Sequence, residues 1–540
     1  MAKGAGSKVP ETRSWQVRWV GWGRTCIRAT AGAGRGAAQF VADEWFFARQ
    51  WWRRTPVQRK RTWQLTAGSA VAGLAVAAGA VATAGPWDSG QRTAERARAA
   101  RWDGRGGERH DGGSPAPGAA PVLAALGAPV KGGGDSAPPP TRSGLADALA
   151  PLLKAPELGP VRTASVVDVA TGREVFASHP GRTATPASTI KLGTAVAALS
   201  ALGPDHRFTT KAVQDGRTKD GAARVVLVGG GDPTLTARTP KPGTPAAQRP
   251  AALGDLAADT ARALKKRGTK KVTLRYDDSL YKGSPQHPIG PNENLAPVTA
   301  LTADEARLDT SSHGTAPRAS DPSAEAARAF ADALRAHGIA VTGAPRDAEA
   351  RRTATRLAAA SSLPLSAIVE RMLTHSDNDI AEQLARQTAV ATGAPTTFKG
   401  GGRAVQRTLE QLRLPVARTV FHDGSGLDRD DRVSAGLLSH VLLLAAAPDH
   451  PELRPVLTGL PVAGFTGTLE ARYADERAGA GAVRAKTGTL TGVNTLAGTV
   501  VDADGRLLTF AFMTNGTSDP YGAQRSLDRL ASAVANCGCR

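Results

Sequence analysis

Ser188 and Lys191 stand three positions apart in Ser188-Thr189-Ile190-Lys191. On a helix that spacing puts both side chains on one face, so the amine can reach the hydroxyl oxygen. A serine oxygen attacks a carbonyl only when a base takes its proton. Lys191 can be that base only as the neutral amine. Working near neutrality requires its pKa to fall roughly 3 units, about 4 kcal/mol. Burial and a second cation push that way, and Lys486 is a candidate for that cation. Ser376-Asp377-Asn378 adds a hydroxyl and an amide. Ser376 can relay a proton between Lys191, Lys486 and a leaving amine, while Asn378 offers a donor and an acceptor to a substrate amide. Lys486-Thr487-Gly488-Thr489 supplies a cation for a substrate carboxylate, a hydroxyl to hydrogen-bond it, and a glycine past which substrate backbone can run. Each string alone is common. In this order they form the S-x-x-K, S-D-N, K-T-G set of serine enzymes that open amide carbonyls.

Those strings need a scaffold. Ile190 to Leu202 is apolar and Ala-rich over a helical length, which predicts a buried central helix with Ser188 at its start. The helix N-terminus favours negative charge, which suits an attacking alkoxide. Ser376 follows a predicted helix over Leu365–Leu373, and another is expected over Ile380–Thr388. Thr163–Val169 and Glu174–Ala177 read as strands joined at Ala170-Thr171-Gly172. Asn494–Val501 and Leu507–Thr514 alternate about the turn Asp502–Gly505, which makes a hairpin just after Lys486. Strands at both ends with helices between predict a mixed α/β fold whose termini share one mainly antiparallel sheet. The middle carries its own pattern. Strands at Arg207–Val213, Arg224–Val228, Lys271–Tyr276 and Ile339–Thr342 alternate with helical stretches at Ala251–Arg267 and Ser323–His337. They predict an inserted α/β region over 205–355, between catalytic segments 142–204 and 356–540.

The chain has 540 residues and a net charge of +20, and half of that charge sits in residues 1–61, which hold 13 Lys or Arg and three acids. A basic segment ahead of an apolar run is a topology signal, not a nucleic-acid footprint. The uncharged run Leu65–Gly85 is about long enough to cross a bilayer. Arg59, Lys60 and Arg61 then keep the N-terminus cytoplasmic and send everything after Pro86 outward. The reading preferred here is a membrane signal-anchor; a signal peptide cleaved at Ala82-Thr83-Ala84 is the alternative. Residues 1–56 crowd Trp15, Trp19, Trp22, Trp45, Trp51 and Trp52 among arginines. They read either as an interfacial segment on the inner leaflet or as sequence upstream of a true start near Val57. Residues 86–141 are Gly-, Pro- and Ala-rich and are expected to be a disordered linker. Cys26, Cys537 and Cys539 provide no disulfide framework, and Cys537 with Cys539 could close only a small ring. No metal-ligand spacing occurs, and neither metal nor cofactor is expected. Gly229-Gly230-Gly231 lacks a phosphate-loop lysine, and Gly424-Ser425-Gly426 lacks nucleophile-elbow spacing, so both read as turns.

Over roughly 145–535 the chain resembles the penicillin-binding D-alanyl-D-alanine carboxypeptidase/endopeptidase family of peptidase family S13, the class C, DacB-like group. Besides the three strings, the resemblance rests on Val225–Leu235, Pro297-Val298-Thr299-Ala300-Leu301, Asp423-Gly424-Ser425-Gly426-Leu427 with Arg432-Val433, and Gly467-Thr468-Leu469. Ser376 lies 188 positions after Ser188, room for the insertion that compact relatives lack. The resemblance implies a β-lactamase/DD-peptidase transpeptidase-like fold. It implies Ser188 as acylated nucleophile, Lys191 as proton acceptor, Ser376 as third catalytic residue, and an oxyanion hole from the N–H groups of Ser188 and Thr489. Asn378, Lys486, Thr487, Gly488 and Thr489 would bind substrate. The expected partners are peptidoglycan stem peptides and β-lactams, which would acylate the same serine. Two alternatives remain at this point. A β-lactamase shares the strings, but no deacylating E-x-x-L-N segment lies between S-D-N and K-T-G. A non-catalytic wall-binding protein would keep the strings as relics.

Overall fold

The alternation read at the two ends of the catalytic sequence builds one sheet. In the computed structural model, which describes residues 139–540 except 220, 240–243, 246–247, 475, 477 and 540, β1 (Val161–Asp168) lies beside β12 (Leu507–Asn515). The pairing is antiparallel and runs from Val161 opposite Asn515 to Asp168 opposite Leu508. The sheet also contains β2 (Glu174–Ser178), β10 (Val483–Leu490) and β11 (Val493–Val501), in the order β10-β11-β12-β1-β2. All its neighbours are antiparallel, as the sequence led one to expect. The turn after β1 is tied by Asp168, which accepts from Ala170 N and Thr171 Oγ1. The β11–β12 turn is tied the same way by Asp502, which accepts from Asp504 N and Arg506 N. These local Asx bonds are what Asp and Thr bring to a turn. Arg506 also grips Asp168 through two bonds, of 2.8 and 2.7 Å, and so joins the two turns.

Ten α-helices occur among the described residues: α1 (Arg142–Leu149), α2 (Lys191–Leu202), α3 (Leu253–Lys266), α4 (Pro322–Ala336), α5 (Leu365–His375), α6 (Asn378–Ala391), α7 (Phe398–Gln411), α8 (Ala435–Ala446), α9 (Pro455–Thr458) and α10 (Pro520–Ala535). α2 is the central helix that its composition demands, with every residue from Lys191 to Leu199 buried. Its small side chains let other helices come close. A Cβ at Gly193 would lie 3.0 Å from Phe421 and 3.1 Å from Leu409. Leu192, Val196 and Leu199 share a core with Ile368 and Met372 of α5, Ile380 and Leu384 of α6, and Leu438 and Val441 of α8. A second core lies under α10 and α1, where Leu527 and Leu530 meet Val166, Leu496 and Phe510. Cys537 packs into that core and is joined to Cys539 across Gly538.

A second sheet lies between α2 and α5 in the chain. It comprises β4 (Thr209–Arg217), β5 (Ala223–Val228), β6 (Lys271–Asp277), β7 (Ala340–Asp347) and β8 (Thr355–Ser361), ordered β7-β6-β5-β4-β8. α3 and α4 are the crossovers of its parallel β5–β6 and β6–β7 pairs, since parallel neighbours need a long connection. The sequence reading did not foresee β8, which carries this sheet past the expected bound at 355. β8 pairs antiparallel with β4, with Thr209 opposite Ser361. The chain therefore leaves the catalytic helices and returns to them side by side. The two-residue strands β3 (Thr183–Ala184) and β9 (Val433–Ser434) pair with each other.

Residues 1–138, with the charge cluster, the apolar run 65–85 and the linker up to 138, lie outside the described residues, while Thr141, expected at the linker's end, caps α1 by accepting from Gly144 N. Among the described residues no helix is long and apolar enough to cross a membrane.

Candidate active site

Three separate elements deliver the three strings to one place. Ser188 lies in a 3-10 turn, Ala187–Ile190, that runs directly into α2. Ala187 holds φ +48°, a left-handed value that costs a non-glycine residue of order 1 kcal/mol. Ser376 is the C-cap of α5, also left-handed, and Asp377 accepts from Ile380 N as N-cap of α6. The S-D-N string is thus a helix-to-helix corner, and its capping chemistry and its placement of Ser376 are one structure. Lys486-Thr487-Gly488 lies on β10, the edge strand of the first sheet.

Lys191 Nζ is 2.8 Å from Ser188 Oγ, 2.7 Å from Asn378 Oδ1 and 2.6 Å from the Ser425 carbonyl oxygen. An ammonium has three N–H bonds, and here each has an acceptor. The neutral amine keeps two of them, on Asn378 and Ser425, and turns its lone pair to Ser188. That arrangement has the geometry to accept the serine proton. Lys191 is fully buried, and burial pushes its pKa down to about 8, while the charges of Asp423, Glu382 and Asp377 resist the fall.

Lys486 is paired with Ser376. Its amine, also fully buried, donates to Ser376 Oγ and to the Thr487 carbonyl, both at 2.8 Å. Burial, and then the charge of Lys191, push Lys486 well below the ordinary lysine range. The strain of two neighbouring amines falls on Lys486, and desolvation is what lowers Lys191. Ser376 is accordingly held by Lys486.

Asn378 is also already engaged. Its Oδ1 accepts from Lys191 and its Nδ2 donates to the Asn294 carbonyl at 3.0 Å. Thr487 Oγ1 lies 2.9 Å from Thr468 Oγ1, which ties β10 to the Gly467-Thr468-Leu469 turn. Gly488 serves packing in addition to any approach of substrate. A Cβ there would collide with Thr495 Oγ1 and lie 2.6 Å from the Pro186 carbonyl oxygen. Only glycine lets β10 lie this close to the turn that carries Ser188. That contact brings Thr489, exposed near the end of β10, to the neighbourhood of half-buried Ser188.

Several contributors escaped the sequence reading. Asp423-Gly424-Ser425-Gly426 is a turn, as expected, yet its Ser425 carbonyl grips Lys191. Asp423 binds the turn internally, accepting from Ser425 N, Gly426 N and Asp428 N, and lies 3.1 Å from His287 Nε2. Glu382 binds the turn from α6 and accepts from Gly424 N and Ser425 N. The available signal was spacing, because Glu382 follows Asn378 by four and shares its helix face.

Two buried acidic clusters, His287 with Glu382 and Asp423, and Glu305 with Asp377 and Asp379, have the look of ion sites, but most of their oxygens are occupied; Asp377 Oδ2 alone among the second cluster's oxygens lacks a hydrogen-bond partner. The carboxylates of Asp423 and Glu382 accept the backbone N–H groups just named. Glu305 pairs with Arg307 and Arg371, while Asp379 pairs with Arg318 and accepts from Ala296 N. Both groups are hydrogen-bonded as structural joints.

The profile of the D-Ala-D-Ala carboxypeptidase 3 (S13) family matches residues 145–317 and 308–534. The chain belongs to that family. It is 36% identical over 443 residues to a carboxypeptidase of Mycobacterium tuberculosis, covering 80% of this chain and 92% of that one. It is 39% identical over 413 residues to Carboxypeptidase DacB of Mycolicibacterium smegmatis, covering 75% and 86%. In three dimensions it is similar to penicillin binding protein 4 (dacB) of Haemophilus influenzae, with a TM-score of 0.57, 22% identity, and coverage of 72% of this chain and 97% of that one. At that identity the likeness bears on the fold, and it agrees with the DD-peptidase architecture that the resemblance implied.

Proposed function

We propose that this S13 enzyme is a serine D-Ala-D-Ala carboxypeptidase acting on peptidoglycan stem peptides through an acyl-enzyme at Ser188. Family membership gives the reaction class. The observation that supports the assignment of roles is the Lys191 amine, 2.8 Å from Ser188 Oγ with its other two hydrogen-bond directions occupied.

Neutral Lys191 takes the Ser188 proton as Oγ attacks the penultimate D-Ala carbonyl. The tetrahedral oxyanion forms between the N–H groups of Ser188 and Thr489. Collapse breaks the C–N bond, the leaving amine takes a proton from Ser376 Oγ, and the proton that Lys191 took from Ser188 passes to Ser376, so Lys191 is neutral again for the second step. Water then attacks the ester, gives its proton to Lys191 and returns Ser188. A substrate carboxylate arriving at Lys486 and Thr487 would restore the charge that burial removes from that lysine. Asn378 and Gly488 would line the acyl-side strand. Cleavage of a cross-bridge is the same attack with a different leaving amine, so endopeptidase action needs no further residue. A β-lactam ring presents the same carbonyl and would acylate Ser188.

Action on the wall places the catalytic region outside the cytoplasm. The apolar run 65–85 supports a signal-anchor as the tether, and membrane fractionation of cells making the full chain tests it.

The enzymatic test is labelling of the full-length protein with a fluorescent penicillin, followed by digestion of defined cross-linked muropeptides with mass analysis. The wild type should form an adduct on Ser188 and release D-Ala, and Ser188→Ala should do neither. An adduct retained in Ser188→Ala would refute the assignment.

A further inference from the structure

Asn378 and Glu382 lie one turn apart on α6, and both end at Lys191. Asn378 reaches it directly through Oδ1 at 2.7 Å. Glu382 reaches it through the backbone of the 423–426 turn. Its Oε1 accepts from Ser425 N at 2.8 Å and Gly424 N at 3.1 Å, and Oε2 lies 3.2 Å from Gly424 N. The Ser425 carbonyl then meets Lys191 Nζ at 2.6 Å. The result is a closed ring through Lys191, Asn378, one turn of α6, Glu382 and Ser425. Glu382 is 1% exposed, and none of the chemical steps above uses it. A buried carboxylate that takes only backbone N–H bonds is costly, and a glutamine or a water could take the same bonds.

Resting on the acyl-transfer reading, we propose that Glu382 is a positioning residue for acylation. It aims the Ser425 carbonyl at Lys191 and holds a buried negative charge against the amine. Asp423 braces the other side of the same turn and carries a second such charge.

The titratable groups around Lys191 are Asp423, Glu382, Asp377 and Asp431, with Lys486 as the neighbouring amine. Those around Glu382 are Asp423 and His287, with Arg386 one turn further along α6. Burial, then the Asp423 charge, raises Glu382 to about 7. It is therefore largely ionised where Lys191 loses its proton, near 8. Burial also pushes Asp431 up to about 11, so it stays a neutral acid hydrogen-bonded to Asp423.

Glu382→Gln separates charge from geometry, because a single amide oxygen can keep the bonds that Oε1 makes now. The assay is the acylation rate of the full-length protein by fluorescent penicillin between pH 6 and 10. Removing a negative charge favours the neutral amine, so the midpoint of the rising limb should move to lower pH by about half a unit or more. Glu382→Ala, which also frees the Ser425 carbonyl, should lower the plateau about tenfold or more. If Glu382→Gln does not fold, Glu382→Asp keeps the charge on a shorter stem and should show a reduced plateau with the wild-type midpoint. An unmoved midpoint in Glu382→Gln, or a moved one in Glu382→Asp, would overturn the proposal. A wild type that forms no adduct would instead bring down the acyl-transfer reading itself.

Discussion

Burying Lys191 has a thermodynamic consequence that can be measured apart from catalysis. In the unfolded chain its amine has the ordinary value of 10.5, and in the fold about 8. At 1.36 kcal/mol per pH unit, that gap corresponds to about 3 kcal/mol. Below pH 8 the amine is charged in both states, and the folded protein bears the full desolvation cost. Between 8 and 10.5 the unfolded chain binds the proton more tightly, so stability rises with pH. Above 10.5 the amine is neutral in both states and the cost is gone. Lys191→Met removes this titration while roughly keeping volume. The absolute stability of the variant also reflects the acceptors left on Ser188, Asn378 and Ser425, so the useful quantity is its difference from wild type against pH. Urea unfolding of both proteins at pH 7 and pH 10.5 provides it, with titrating groups remote from Lys191 cancelling in the difference. The wild type should gain about 3 kcal/mol on the variant between those two values. A gain below about 1 kcal/mol would refute the claim that desolvation prepares Lys191 as a base.

Gly488→Ala should lower stability by about 1–3 kcal/mol, since the new methyl meets Thr495 Oγ1 and the Pro186 carbonyl. Penicillin acylation should fall with it, as β10 moves off the Ser188 turn; full acylation with unchanged melting would show that the contact is dispensable. Asp168→Asn removes the charge that takes two Arg506 bonds between the β1 and β11–β12 turns, which should cost about 1.5–3 kcal/mol in thermal unfolding. Because that pair lies away from Ser188, the acylation rate of the folded fraction should stay at the wild-type level.

The strands at the two ends were legible because alternation of apolar residues is a local property, and so were the turns that Asp168 and Asp502 tie. α2 was legible from its composition, because only a buried helix tolerates so apolar a run. Helices on either side of Ser376 and in the middle region could be read in the same way. β8 was not, since Thr355–Ser361 is largely Ala and polar residues and gains its strand identity from pairing with β4. The Ser425 carbonyl left no trace in the sequence, because every residue has a carbonyl and only its direction matters. Nor could residue types show that Asn378 is already engaged by Lys191 and Asn294, or that Gly488 is needed for the fit of a strand against a turn.

The sequence by itself determined the reaction class. Ser188, Lys191, Ser376 and Lys486 are residue types that acyl transfer can use, and their order and spacing match the signature of serine acyl-transfer enzymes. The tertiary structure decided which amine holds which hydroxyl. Lys191 binds Ser188 while Lys486 binds Ser376, and burial lowers both lysines, the charge of Lys191 pressing further on Lys486. Those outcomes depend on solvent exclusion and on distances across segments far apart in the chain, quantities that exist only once the chain has folded.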